Sequence, residues 1–217
     1  MHLKRMLLIT IKRLTVIILL GFVAVLIFYI SSFGVSNHKA SNAFISGEKD
    51  EIGKLKKFAL QAKNYCKQKR FNSNVCFLVD MSLPSGKNRF FQYDLNGDSI
   101  ITSGIVAHGS CNEQFLDKPR FSDEKGCGCT SIGKYKVGYK YKGKFGEAYK
   151  LYGLDSTNNN AFSRNIVLHS YYLIPEKETF PLPVCNSLGC AMISKAYFKL
   201  LSQNIDDSMK PILLWIF

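Results

Sequence analysis

Acidic residues are scarce in this chain of 217 residues: 16 Asp and Glu stand against 29 Lys and Arg, which gives a formal net charge of +13. The sequence also lacks a glycine-rich phosphate loop, paired Cys and His at zinc-finger spacing, and any internal repeat. These absences leave nucleotide-driven chemistry without support. Because 47% of the residues are hydrophobic and 21% are charged, wholesale disorder is excluded, and we expect one domain with short appendages.

The N-terminus contains an uncharged run of 17 residues, Leu14 to Ile30. As a helix it would be roughly 26 Å long, near the lower limit for crossing a bilayer. It is preceded by four cations that favour a cytoplasmic N-terminus: Lys4, Arg5, Lys12 and Arg13. We therefore predict that residues 1–30 are a cytoplasmic tail and a single-pass signal-anchor in the cytoplasmic (inner) membrane. A cleaved signal peptide is the alternative, although no convincing Ala-x-Ala site follows Ile30.

Both interpretations place the rest of the chain outside the cytoplasmic membrane, facing the periplasm or cell wall. We assign residues 31–47 to a spacer, 48–72 to a leading amphipathic helix and 73–217 to the functional domain. Without the four N-terminal cations the exported part keeps a net charge of +9. Anionic wall polymers and lipid headgroups are the partners that this charge favours outside the membrane, and we expect no nucleic acid.

Short alternating segments dominate the functional domain and predict a mostly β, α+β fold. An Asn96-Gly97 pair marks a hairpin turn, and a helix is expected from Ala191 to Ser202. The stretch Lys134 to Lys150, in which Lys alternates with Tyr and Val, is interpreted as a strand with a basic face toward the anionic wall. The remaining strands are expected at these segments: Val75–Met81, Arg89–Leu95, Ser99–Ala107, Tyr149–Leu154, Asn165–Ser170 and Pro211–Phe217.

Cys190 is the candidate nucleophile. It follows Gly189 at the predicted start of the helix, where the dipole and the unpaired N–H groups would lower the pKa of a thiol. His169 ends a predicted strand and is the candidate base. A Cys and a His that are distant in sequence but converge in the fold form the arrangement needed for thiol acyl transfer. From this spacing alone, an ordinary structural Cys beside an ordinary His is an equally good interpretation.

The motif His169-Ser170, about twenty residues, then Ser187-x-Gly189-Cys190 resembles the signature of YkuD-like L,D-transpeptidases. More closely, the chain resembles the murein L,D-transpeptidase catalytic-domain family, from about Phe77 to the C-terminus. The likeness includes further segments in the same order: Asp80-Met81-Ser82, Pro84-Ser85, Val106-Ala107-His108-Gly109, Gly143-Lys144-Phe145-Gly146, and Asn160-Ala161 with Arg164. The resemblance implies an L,D-transpeptidase-like β-sandwich with the nucleophilic cysteine at a helix N-terminus.

The resemblance also implies the roles of the site residues. Cys190 attacks a stem tetrapeptide of peptidoglycan and releases D-Ala as a thioester forms, while His169 moves protons. Ser170 orients the imidazole through its backbone carbonyl, and the backbone N–H groups of Leu188 and Gly189 stabilise the oxyanion. The amine of a second stem then takes the acyl group in a 3→3 cross-link, or water hydrolyses it. We expect no cofactor, and the predicted substrate contacts are Ser187, Tyr171, Arg164 and His108.

The chain departs from its relatives near the nucleophile. Leu188 stands where many relatives have His or Trp, Ala191 where they have Pro, and Asn186 where the closer branch usually has Arg. The substitution at Asn186 removes a carboxylate-binding charge, and Arg164 is then the best remaining partner for a stem-peptide carboxylate. An ion pair that only stabilises the fold is an equally good interpretation of Arg164.

Six cysteines remain if Cys190 is the free nucleophile, and outside the cytoplasm they favour disulfides. Cys66 with Cys76 is the most local pairing, and Cys111 is expected to meet Cys127 or Cys129. A less favoured alternative is a zinc site whose ligands would be His108, Cys111, Cys127 and Cys129. The corresponding non-enzyme hypothesis is a disulfide- or zinc-stabilised wall-binding module in which Cys190 is not catalytic.

Overall fold

The computed structural model describes residues 18–29 and 50–217, which include helical segments at 18–29 and 50–69. The predicted anchor, Leu14 to Ile30, extends beyond the described residues at both ends. Among the described residues, no helix has the length and apolar character needed to span a membrane. Residues Lys54–Phe217 form one compact unit, which contains every strand of the described residues and the candidate site.

We label the helix at 50–69 α1 and the helix Lys195–Asp206 α2. In the part of the chain that the structure describes, nine strands join into a single sheet with the order β3-β2-β1-β9-β5-β6-β7-β8-β4. Their bounds are β1 Val75–Val79, β2 Phe90–Asp94, β3 Ser99–Gly104, β4 Val106–Ala107, β5 Gly133–Gly143, β6 Gly146–Gly153, β7 Val167–Ser170, β8 Ala191–Ile193 and β9 Leu213–Ile216. The mostly β, α+β prediction is confirmed.

Strands β3 and β4 are the two opposite edges of the sheet, yet only Ile105 separates them in the sequence. The sheet therefore has to curl so that its two edges come close together. The curled sheet encloses the main hydrophobic core, to which α2 contributes Tyr197, Phe198 and Leu201. The hydroxyl of Tyr197 donates to the carbonyl of Phe90 at 3.1 Å, which ties α2 to β2. One continuous, curled sheet therefore forms both layers of the expected β-sandwich.

Helix α1 covers the outer side of the sheet around β1, β2 and β9. Its buried side chains recur at three- and four-residue intervals, as an amphipathic helix requires: Leu55, Ala59, Ala62 and Cys66. They pack with Leu78, Tyr93 and Leu213 in a second core cluster. The ring of Phe58 on α1 stacks on Phe217 with centroids 3.5 Å apart.

The second predicted helix begins later than expected, and this changes the position of Cys190. Residues Ala191–Ile193 form β8 between β7 and β4, and α2 begins at Lys195 after its N-cap Ser194. The prediction that Cys190 lies at a helix N-terminus is therefore wrong. The apolar run that follows Cys190 fits a short buried strand as well as a helix, and only pairing with β7 and β4 decides between them.

Candidate active site

Four neighbouring strands bring one side chain each into a row across the sheet. The register pairs Tyr141 of β5 with Ala148 of β6, Ala148 with His169 of β7, and His169 with Met192 of β8. Leu168, Ala191 and Ile193 point into the main core, so the alternating residues face the opposite side of the sheet. We call the side that carries Tyr141, Ala148, His169 and Met192 the His169 face.

His169 is buried on this face, and its ring is held on two sides. Its Nδ1 lies 3.0 Å from the backbone carbonyl of Ser170, so Nδ1 carries the proton and donates. Phe145, at the tip of the β5–β6 hairpin, stacks on the imidazole with centroids 5.3 Å apart and an interplanar angle of 18°. Burial lowers the pKa of His169 below 6.5. Near neutral pH the imidazole is therefore uncharged, with its Nε2 lone pair available as a base.

Cys190 immediately precedes β8, so the β7–β8 register places it opposite Val167, two residues from the His169–Met192 pair. Its Sγ lies 3.8 Å from the backbone carbonyl of Asn165. Burial raises the pKa of the thiol, opposed by the Val167 N–H and by the charges of Arg164 and Lys150. The site therefore holds a neutral thiol and a neutral imidazole on adjacent strands, and the lowered thiol pKa expected from a helix dipole does not apply.

Ser187 and Gly189 shape the loop that presents Cys190. The Ser187 hydroxyl donates to the carbonyl of Cys190 at 2.8 Å and accepts from the N–H of Gly189 at 3.1 Å. Gly189 has a φ of +103°, and an added Cβ would lie 2.6 Å from the carbonyl oxygen of Cys129. Ser187, predicted to contact substrate, thus bonds within its own loop. The N–H of Gly189, predicted to stabilise the oxyanion, is engaged by Ser187.

Arg164 lies beneath this loop with a side chain that is only 3% exposed. Its guanidinium donates to the carbonyl of Cys129 at 2.6 Å and to Ser131 Oγ at 2.6 Å, and it pairs with Asp123 at 3.2 Å. These partners all belong to the protein. The structure gives Arg164 the contacts of an internal clamp between the Cys129 segment and the Cys190 loop, which corresponds to the structural interpretation of this residue.

The cysteines follow the predicted chemistry only in part. Cys111 and Cys129 form a disulfide, one of the two pairings expected for Cys111. Cys66 and Cys76, expected to bridge, are free buried thiols, and burial raises the pKa of Cys66 to about 12. Cys127 is also free, and Arg164 donates to its Sγ at 3.3 Å.

His108 neither lines a cleft nor is available to a metal, because it is 1% exposed. Arg89, which can only donate, lies 2.9 Å from its Nδ1, and its Nε2 lies 2.9 Å from the carbonyl of Leu116. Two of the other three proposed zinc ligands are in the disulfide. No three His, Cys, Asp or Glu side chains within residues 18–29 and 50–217 are grouped to hold a metal. The structure therefore does not support the zinc alternative.

Exposed apolar side chains border the site. Leu188 is 73% exposed beside the nucleophile, and Tyr172 is 81% exposed. A continuous line of rings runs from His169 through Phe145 to Tyr171 and Tyr172, with successive centroids 5.3, 5.6 and 4.8 Å apart. Tyr171, predicted to contact substrate, is thus two rings away from the imidazole.

Sequence reasoning missed Lys150, Asn165, Phe145 and Tyr141 as site residues. Lys150 was assigned to a strand face directed at the wall, yet it is buried behind Cys190. Its position between Tyr149 and Leu151, both buried in the core, was the available signal, because such a lysine faces the second side of an enclosed strand. Phe145 was noticed within a family motif, but its stacking on His169 depends on how the hairpin folds back.

Two surface concavities, of about 430 and 520 Å³, are lined by residues outside this site, such as Lys56 and Tyr93 in one and Leu83 and Phe217 in the other. Neither includes Cys190 or His169.

Several solved structures resemble this chain at low sequence identity. The L,D-transpeptidase from Xylanimonas cellulosilytica has 13% identity and a TM-score of 0.38, over 66% of this chain and 60% of that one. An L,D-transpeptidase from Mycobacterium smegmatis has 12% identity and a TM-score of 0.38, over 66% and 58%. The helical cell shape determining protein Pgp2 from Campylobacter jejuni has 14% identity and a TM-score of 0.39, over 71% and 54%.

The chain spans about half the length of other solved chains that it matches. No curated protein matches the sequence significantly. Because the TM-scores are below 0.5, the assignment rests on the family model of the L,D-transpeptidase catalytic domain. It matches residues 49–214 and so covers α1, α2, strands β1 to β8 and the first half of β9. The chain belongs to the L,D-transpeptidase catalytic-domain family.

Proposed function

We propose that this protein is a cysteine acyltransferase that acts on peptidoglycan stem peptides, with Cys190 as nucleophile and His169 as general base. The observation that carries the proposal is the neutral imidazole of His169, held at Nδ1 by the Ser170 carbonyl, on the strand that pairs with the one beginning directly after Cys190. Family membership supports the class of reaction. The identities of the donor and acceptor stems are part of the proposal.

The first half-reaction forms a thioester. Cys190 Sγ turns from the Asn165 carbonyl toward His169, whose Nε2 takes the thiol proton as sulfur attacks the carbonyl carbon before the terminal D-Ala. The C–N bond then breaks, and the imidazolium returns the proton to the departing amine of D-Ala. The backbone carbonyl of Ser170 keeps the proton on Nδ1 throughout, so that Nε2 is the atom that exchanges.

The second half-reaction transfers the acyl group. The amine of a second stem gives a proton to His169 Nε2 and attacks the thioester, which releases the Cys190 thiolate and leaves a 3→3 cross-link. Water in place of the amine would give a trimmed tripeptide. Exposed Leu188 and the ring line from Phe145 to Tyr172 offer an apolar surface on which an acceptor stem can pack beside the thioester, and this favours a bound amine over water.

The decisive experiment is mass spectrometry of muropeptides after the purified protein is incubated with disaccharide-tetrapeptide. We expect cross-linked dimers that have lost D-Ala, and no product from Cys190→Ala. Cys185→Ala is the matched control, since Cys185 is another free, partly exposed thiol five residues earlier. Tripeptide alone would identify a carboxypeptidase instead. Unchanged turnover in a folded Cys190→Ala protein would contradict the role of Cys190, whereas no product from either folded protein would favour the wall-binding module.

We also propose that the domain works outside the cytoplasmic membrane, with the segment Leu14 to Ile30 as its export signal and anchor. The cations before this segment and the Cys111–Cys129 disulfide support export to an oxidising compartment. Protease treatment of intact spheroplasts tests this proposal. Degradation of the domain is expected, whereas protection until the cells are lysed would place it in the cytoplasm.

A further inference from the structure

Lys150 is a buried cation without a buried anion. It lies in the middle of β6 and is only 8% exposed. Its Nζ donates to Asn165 Oδ1 at 2.9 Å and lies 5.2 Å and 5.5 Å from the ring centroids of Tyr141 and Phe162. No ion pair between Lys150 and a carboxylate occurs among residues 18–29 and 50–217. A neutral amide and two ring faces offset the desolvation of an ammonium only in part.

The neighbouring cation, Arg164, differs from Lys150 because it has a carboxylate partner. Arg164 is also buried, but Asp123 compensates its charge at 3.2 Å. The further donors of Arg164 go to two backbone carbonyls, the Ser131 hydroxyl and Cys127 Sγ. Lys150 therefore carries the uncompensated charge behind the site. A positive charge kept in such a place is most useful where a negative charge appears during the reaction.

The fold connects this charge to the nucleophile in two ways. The register pairs Lys150 with Val167, and its extension pairs Val167 with Cys190, so Lys150 and Cys190 flank one residue on the same level of the sheet. In addition, Asn165 binds the ammonium through its side chain and contacts Cys190 Sγ through its backbone carbonyl at 3.8 Å. The positive charge of Lys150 acts on the thiol in the direction that favours the thiolate.

We propose that Lys150 is a positioning residue that provides the counter-charge for the Cys190 thiolate, and that Asn165 holds its ammonium in place. The inference rests on the proposed function, in which Sγ gives its proton to His169 Nε2 and becomes negative. The other charged or titratable groups around the thiol are Arg164 from the loop before β7, Tyr141 from β5 and His169 from β7. Arg164 already pairs with Asp123, and the ring of Tyr141 lies beside the Lys150 ammonium.

The test measures the rate at which iodoacetamide alkylates Cys190 in the full chain between pH 6 and pH 10, with peptide mass spectrometry to separate Cys190 from the other thiols. The variants are Lys150→Met, which removes the charge, and Lys150→Arg, which restores it. The matched control is Lys136→Met, because Lys136 on the neighbouring strand β5 also lies over a ring, Tyr152 at 4.5 Å, but pairs with β6 away from the thiol.

With Lys150→Met we expect the alkylation rate on the rising limb of the profile, between pH 6 and pH 8, to fall about tenfold, as an upward shift of the profile by about one pH unit produces. Lys150→Arg should stay within about threefold of the unmodified protein, and Lys136→Met should match it. An alkylation profile that coincides with that of the unmodified protein, in a Lys150→Met protein of unchanged circular dichroism, would overturn the proposal. Lys150→Gln, which keeps a donor for Asn165, serves as the second charge-removing variant if Lys150→Met does not fold.

Alkylation needs no peptidoglycan, so this test separates the inference from the proposed function. A shifted profile together with an absence of muropeptide products would retain the role of Lys150 toward the thiolate and reject the proposed substrate. An unshifted profile together with normal cross-linking would reject the role of Lys150 and retain the enzyme.

Discussion

At the scale of single residues, the pair His108 and Arg89 has a definite protonation state. Arg89 is fully buried and donates to the carbonyls of Val106 and Leu83 as well as to His108. Burial and the neighbouring guanidinium lower the pKa of His108 to about 4. A second proton on His108 would point at Arg89, so the folded protein holds this histidine neutral.

This arrangement predicts acid sensitivity. The neutral form is favoured in the fold, whereas an unfolded histidine binds a proton from about pH 6.5 downward. The free energy of unfolding therefore falls as the pH drops from about 6.5 toward 4, by about 2 kcal/mol between pH 7 and pH 5. Urea unfolding at both pH values measures the difference, and it should shrink in His108→Gln. An equal difference in the variant would assign the acid sensitivity to other groups.

The pKa values of the candidate base and nucleophile depend on the surroundings of each residue as well as on its type. His169 and Cys190 were identified from their chemistry and the family motif. Their pKa directions, lowered for His169 and raised for Cys190, both arise mainly from burial, which the sequence does not display. A thiol that is neutral at rest loses its proton as it attacks, so the contacts that favour the thiolate matter more than they would in a preformed ion pair.

At the scale of elements, the Cys190 loop depends on close contact with the segment that contains Cys129. Gly189 to Ala would place a Cβ 2.6 Å from the Cys129 carbonyl at a φ of +103°. We expect the variant to lose roughly 2 kcal/mol or more of stability and most of its acylation rate, as measured by thermal unfolding and thioester formation.

Gly126→Ala is the control for this prediction. Gly126 also has a positive φ, of +76°, but nothing lies within 4 Å of an added Cβ. This variant should therefore lose only the cost of the backbone conformation, about 1 kcal/mol. If both variants lost the same stability, the contact between Gly189 and the Cys129 segment would have no importance of its own.

The disulfide restrains this same segment. Cys111 and Cys129 are 18 residues apart, and a closed loop of that length stabilises a protein by about 3 kcal/mol in the chain-entropy description. Reduction should lower the free energy of unfolding by about this amount. It should also slow acylation, because the Cys129 carbonyl contacts Arg164 beneath the nucleophile loop. Denaturant unfolding with and without reductant measures the change, and the double variant Cys111→Ser/Cys129→Ser should not respond to reductant.

At the scale of the whole molecule, β9 joins the two halves of the sheet. It pairs in parallel with β1 and antiparallel with β5, although it is the last strand of the chain. Leu214 is fully buried in the main core, and truncation to Ala should cost roughly 2–5 kcal/mol. Because one sheet and one core span both halves, we expect a single cooperative transition at a lower temperature in calorimetry.

Leu188→Ala is the matched control, since the exposed Leu188 should change the stability by less than about 0.5 kcal/mol. Two separate calorimetric transitions in Leu214→Ala would show that the halves of the sheet unfold independently and would contradict the role assigned to β9.

The sequence by itself determined the class of fold and most strands, and it identified Cys190 and His169 as the candidate nucleophile and base. Alternation and turn residues depend on neighbours along the chain, and the motif around His169 and Cys190 is local. The apolar face of α1 was also predictable, because its period is a property of one helix.

Only the tertiary structure decided the surroundings of those residues. Pairing with β7 and β4 made Ala191–Ile193 a strand instead of a helical turn, so Cys190 does not lie at the positive end of a helix dipole. Closure of the sheet buried Lys150 behind the thiol. It also directed the donors of Arg164 to groups within the protein, and it brought Cys111 into a disulfide with Cys129 instead of Cys127. The physical reason is that burial, charge compensation and long-range strand register depend on residues far apart in the chain, and no local pattern contains them.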